Sequence, residues 1–106
     1  MAWTLELIDE ARREILALPS DVRAHFAWIV DMLIEKGPAE IGMPYVRPLE
    51  SGLWEMRLKG KDGIARALYF AASRQRLVVV RAFVKKTEKA PRREIDMALK
   101  RMRGFR

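Results

Sequence analysis

Five basic side chains and one acid in the second half of this chain are spaced so that a folded backbone can bring them together. The segment LWEMRLK, residues 53–59, alternates apolar Trp54, Met56 and Leu58 with charged Glu55, Arg57 and Lys59. Successive side chains of a strand leave on opposite faces, so the apolar set is expected to pack inward and Glu55, Arg57 and Lys59 to share an outer face. Arg66 lies in the next run, and Lys85 and Lys86 close the one after it. Strands paired as a meander would collect these cations on one concave patch. Cations gathered against their mutual repulsion suit an anion. The guanidiniums of Arg57 and Arg66 each match two phosphate oxygens. A lysine crowded by three other cations has its pKa lowered, which makes Lys86 the candidate to donate a proton or stabilise charge. Glu55 is the carboxylate expected on this basic face. It stands two residues from Arg57, either as a proton acceptor or in a salt bridge with Lys59 or a neighbour. Lys59, Lys61, Lys85 and Lys89 are further candidates for phosphate binding.

The elements that must carry these residues follow from periodicity. Residues 3–8 alternate Trp3, Leu5 and Leu7 with Thr4 and Glu6 and predict a first strand. Asp9 is expected to cap a short helix reaching about Leu18, where Pro19 stops it. A second helix, opened by Pro19 or Ser20 and closed by the Gly37-Pro38 break, is expected to have Val22, Phe26, Ile29, Val30 and Leu33 as its apolar stripe. Trp28, Met32 and Ile34 fall outside that stripe. The first helix, folded back as a hairpin, is expected to cover part of them, and what it leaves bare is a candidate partner contact. Residues 39–49, with two prolines and a glycine, predict an irregular connection. Then come the strand at 53–59, the turn GKDG, the run IARALYFAA, the SRQR break and LVVVRAFV, an antiparallel meander. Pro91 opens a last helix with Ile95, Ala98, Leu99 and Met102 on one face.

With 106 residues the chain is expected to form one domain over 1–106, with a two-layer core too small for a deep cofactor pocket. No cofactor or metal site is expected. The absence of cysteine removes disulfides and thiolate chemistry and fits a reducing, cytoplasmic setting. No membrane span is expected, because the longest apolar stretch, 26–34, is short and interrupted by Asp31, and the acidic start does not look like an export signal. The net charge of +7 divides unevenly. Residues 1–56 hold 5 Lys/Arg and 10 Asp/Glu, whereas residues 57–106 hold 16 and 4, so the second half is expected to build a face for a polyanion.

The strings GLWEMRLKGKDGIARALYF and AFVKKTEKAPRREIDMALKR resemble the phage-derived branch of the RelE/HigB toxins. The resemblance rests on three motifs in order: the LWE-hydrophobic-R strand at Leu53 to Arg57, the R-x-x-Y strand at Arg66 to Tyr69, and the F-x-K-K-T-x-K-x-P turn at Phe83 to Pro91. It implies an α+β toxin with a helical hairpin on one face of a small curved antiparallel sheet and a C-terminal helix. It implies ribosome-dependent cleavage of mRNA by attack of a 2′-hydroxyl. It also implies a cognate antitoxin, often a small helix-turn-helix protein. Lys85 and Lys86 fall where relatives keep a phosphate-binding cation. The C-terminal Tyr or His that several relatives use for proton transfer has no counterpart after Tyr69. His25, alone on its helix, is read as structural, and Tyr69 is expected on the sheet face opposite Arg66. Two other readings share the fold or the charge: a ParE-like inhibitor of DNA gyrase, and an RNA-binding module without catalysis.

Overall fold

The computed structural model describes residues 2–84 and 91–105. Strand β1 (Thr4–Leu7) leads into helices α1 (Asp9–Leu16) and α2 (Ser20–Lys36), then a short 3-10 turn at Pro38–Glu40. Strands β2 (Val46–Pro48), β3 (Trp54–Gly60), β4 (Gly63–Ala72) and β5 (Arg76–Val84) follow, and helix α3 (Arg92–Gly104) closes the described chain. The sheet order is β1-β5-β4-β3-β2.

Alternation along β3 sorts the side chains as expected. Met56 and Leu58 join Val22, Phe26, Ile29, Val30 and Leu33 of α2 and Ala11 and Ile15 of α1 in one core. The α2 stripe read from the sequence is buried at every position.

Four features differ from the sequence reading. First, β1 pairs with β5 in parallel, so the sheet is antiparallel only across its other three pairings. A parallel neighbour is possible here because the helical hairpin carries the chain across one face before it returns. Second, Ile8 rather than Asp9 occupies the cap position of α1, with no side-chain cap bond; Asp9 instead puts its charge in the first turn. Third, the region expected to be irregular contains β2, whose Val46 pairs with Met56. β2 is an edge strand, which is why it tolerates Pro48. Fourth, α1 lies against β5 while α2 lies against β3, so α1 does not cover the outer side of α2. Met32 and Ile34 are instead half-buried against the core, and Trp28 stays 49% exposed.

The other sheet face is not an open charged surface. Leu53, Leu68, Val78, Val80 and Phe83 form a second core with Ala98 and Leu99 of α3. A register shift at Leu68/Tyr69 leaves Val80 without a partner on β4. That bulge turns Phe83 toward α3 while Val79 and Ala82 keep to the first core. The extra residue is on β5, so alternation along β4 is unbroken, and Tyr69 stays buried on the face away from Arg66.

Candidate functional site

Strand β3 carries Glu55, Arg57 and Lys59 on the face where α3 leaves the sheet partly uncovered. Each meets a different environment. Glu55 is fully buried. Its Oε2 accepts from Arg66 Nη1 on β4 at 2.5 Å, and its Oε1 accepts from Arg47 Nε on β2 at 2.8 Å. Arg66 is only 1% exposed. A buried ion keeps its charge only when paired and hydrogen-bonded, so the sheet supplies Glu55 with a guanidinium on either side.

This corrects the expectation that Glu55 stands on an open basic face. No part of its side chain is solvent-accessible, which leaves it no route to a substrate proton. The alternative reading, a salt bridge with Lys59 or a neighbour, holds: the partners are the neighbours Arg66 and Arg47, not Lys59.

Arg57 and Lys59 are different. Arg57 is directly opposite Arg66 in the β3–β4 register and is half-buried, and Lys59 is exposed. Among the described residues, neither side chain has a carboxylate within ion-pair distance, whereas Arg47, Arg66, Arg76, Arg81, Arg92 and Arg101 all do. Glu55 is shared by Arg47 and Arg66, and Arg57 and Lys59 follow it along the same strand. Lys61, at the β3–β4 turn, is exposed, and its backbone N–H donates to Asp21 Oδ2 at 2.7 Å. That bond, chiefly, holds the Asp21 carboxyl below its ordinary range. Lys85, Lys86 and Lys89 lie outside the described residues.

Arg57 and Lys59 line an open pocket of about 400 Å³ together with His25, Trp28, Pro44 and Tyr45. Two interactions hold this wall. The backbone N–H of Arg57 donates to the Tyr45 carbonyl at 2.8 Å, which draws the residues before β2 alongside β3. The backbone N–H of Lys59 donates to His25 Nδ1 at 2.9 Å, which fixes α2 beside the end of the same strand. His25 and Trp28, three residues apart on one helix face, stack at 5.8 Å and 15°. Tyr45 meets Trp28 edge-on at 5.3 Å.

The bond from Lys59 requires a lone pair on Nδ1, so the imidazole proton is assigned to Nε2. Burial first, and the Lys59 charge second, push the His25 pKa below its ordinary value. His25 is therefore a neutral ring with one N–H to donate. Sequence reasoning set His25 aside and left Tyr45 in an irregular segment. The signal available was the i, i+3 spacing of His25 and Trp28 away from the apolar stripe.

Folding also reshapes the charge asymmetry. Cations of the basic half pair with acids of the other: Arg76 with Glu6, Arg81 and Arg101 with Glu14, Arg92 with Glu50, and Arg66 with Glu55. Part of the expected polyanion face is thus internal complementarity, and Arg57 and Lys59 are among the described cations it leaves without an ion pair, with Lys61, Arg74, Arg93, Lys100 and Arg103.

A family model described as "Phage derived protein Gp49-like (DUF891)" matches residues 13–103. A mutant of Escherichia coli toxin RelE in the free state, substituted at two arginines, has the same fold, with a TM-score of 0.70 at 18% identity over 96% of this chain and 99% of that chain. A chain of the archaeal RelE–RelB complex from Pyrococcus horikoshii OT3 aligns with a TM-score of 0.56 at 18% identity, over 79% of this chain and 96% of that one. No curated protein matches the chain. The fold is RelE-like. Among the described residues, no helix is long and apolar enough to cross a membrane.

Proposed function

The chain belongs to the phage-derived Gp49-like family, and from that premise we propose that it is the toxin of a toxin–antitoxin pair and an endoribonuclease that cuts mRNA on the ribosome. The observation that carries this reading is the pairing pattern on β3: Arg57 and Lys59 line a pocket without carboxylate partners, beside an Arg66 held rigid by Glu55.

The reaction that suits such a site is internal transesterification. The 2′-oxygen bonds to the adjacent phosphorus, the bond from phosphorus to the 5′-oxygen breaks, the 2′-hydroxyl gives up its proton and the 5′-oxygen gains one, leaving a 2′,3′-cyclic phosphate. Charge accumulates on the equatorial phosphate oxygens, and preorganised cations lower that barrier. Arg57 is the residue for this task, with Lys59 as a second contact. Arg66, buried and tied to Glu55, acts as a positioning residue that keeps positive potential behind Arg57. Lys86 is assigned the acid or charge stabiliser from the crowding of cations expected around it, and Lys61, Lys85 and Lys89 the flanking phosphates.

Neither Glu55 nor His25 has an accessible basic atom to take the 2′-hydroxyl proton. The proton acceptor is then supplied by ribosome-bound water or RNA, and alignment on the ribosome contributes to the rate. The archaeal RelE–RelB complex supports a small protein antitoxin as partner. A gyrase-binding role would leave the unpaired Arg57 and Lys59 without a use.

Expression in cells lacking an antitoxin, followed by mapping of RNA 5′ ends, tests the proposal. Growth arrest with transcripts cut within codons is expected, and Arg57→Ala is expected to abolish both. Intact messages with gyrase-linked DNA breaks would overturn the nuclease in favour of the gyrase reading.

A further inference from the structure

The aromatic wall of the pocket has no part in the transesterification just described. Trp28 is a large apolar side chain left 49% exposed outside the buried stripe of α2. His25 lies parallel to it and Tyr45 braces it edge-on, so the indole is held in one orientation. The Lys59 N–H bonds His25 and the Arg57 N–H bonds the backbone of Tyr45, and His25, Trp28 and Tyr45 line one pocket with the two cations. Flat rings beside cations spaced along one strand are the combination that binds a single-stranded polynucleotide, whose bases stack while its phosphates are neutralised. An acidic protein surface would match the cations but has no need of preordered aromatic planes.

The geometry points to a binding site for one unpaired nucleobase of single-stranded RNA, with Trp28 as the stacking platform, the His25 Nε2–H as donor to an acceptor on the base edge, and Arg57 and Lys59 holding the adjoining phosphates. This deepens the nuclease reading and rests on it for the identity of the polymer. It adds two residues to the substrate contact, His25 and Trp28, and Tyr45 as a positioning residue.

The test uses the 106-residue chain and a short 2′-O-methylated oligoribonucleotide, which carries bases and phosphates but cannot be cleaved. An abasic oligonucleotide of equal length and charge is the comparison. Trp28→Ala is expected to weaken binding of the base-bearing strand about tenfold at fixed salt, and Trp28→Phe to restore most of it. The abasic strand is expected to bind wild type and Trp28→Ala alike. The base-bearing strand should also quench tryptophan fluorescence of the unaltered chain more than the abasic one does, a measurement that needs no variant. Unchanged affinity of Trp28→Ala, or equal losses on both strands, overturns the site. So does a Trp28→Ala chain that keeps its RNA affinity but loses its antitoxin, which would make the surface a protein contact. The nuclease reading fails separately: base-dependent binding by a chain that leaves ribosome-bound mRNA intact keeps the site and removes the catalysis.

Discussion

Glu55 on β3 and Arg66 on β4 are joined at 2.5 Å where both side chains are closed to solvent, and half-buried Arg57 of the pocket is directly opposite Arg66 in the strand register. Charged residues that read from the sequence as a single functional set are therefore two sets. One is an internal brace and the other is available to a ligand.

Replacing one member of the brace leaves the other buried and uncompensated. Glu55→Gln is expected to lower unfolding free energy by roughly 3–5 kcal/mol, measured by urea denaturation. Arg47→Ala removes a partner that is 38% exposed, and is expected to cost about 1 kcal/mol or less. Comparable losses from the two substitutions would show that Glu55 is not buried as described. For the same reason Arg66→Ala is a poor probe of catalysis, since loss of toxicity would accompany loss of the fold.

Arg57→Ala separates chemistry from stability. Its side chain has no ion-pair partner among the described residues, so the melting temperature should stay close to wild type. Cleavage of mRNA on programmed ribosomes should fall about 100-fold, in line with removal of one preorganised charge stabiliser. An active Arg57→Ala chain would remove this residue from the mechanism.

His25 gives stability a pH dependence of known sign. Its folded pKa lies below the unfolded value of about 6.5, so between the two the unfolded chain binds more protons. The contribution is present above the unfolded value and is lost as pH falls through the lowered folded one. Thermal melts from pH 7.5 down to about 5 should decline more steeply for wild type than for His25→Gln. Equal slopes would mean that the ring is free to protonate in the fold.

Gly60 marks the closest approach of α2 to the β3–β4 turn. A Cβ there would meet Val22 Cγ2 at 2.6 Å and Asp21 Oδ2 at 2.8 Å. Gly60→Ala must push the start of α2 away and strain the Asp21 bond to the Lys61 N–H, at an expected cost of about 1–3 kcal/mol in the urea midpoint analysis. Gly52→Ala provides the contrast: it has open space around it but a φ of +83°, so its cost should come from backbone strain alone.

Periodicity along the chain was enough to determine the three α-helices, four of the five strands and their inward faces, but not β2. The α2 stripe and the alternation of Trp54, Met56 and Leu58 each describe which side of a local element is apolar, and burial follows that side. The ordered motifs from Leu53 to Pro91 carried the family resemblance for the same reason, since motif order is a property of the linear chain. Which charges remain free was decided by tertiary structure. Arg57 and Arg66 are both arginines on strands with the same outward face, yet only the packing of β2, β4 and α3 around Glu55 makes one a buried strut and leaves the other at the pocket. The aromatic wall was decided the same way, because His25 and Trp28 meet Tyr45 only once an edge strand forms in a stretch rich in proline. Electrostatic and ring contacts depend on distances between residues far apart in the chain, and local periodicity carries no information about those distances.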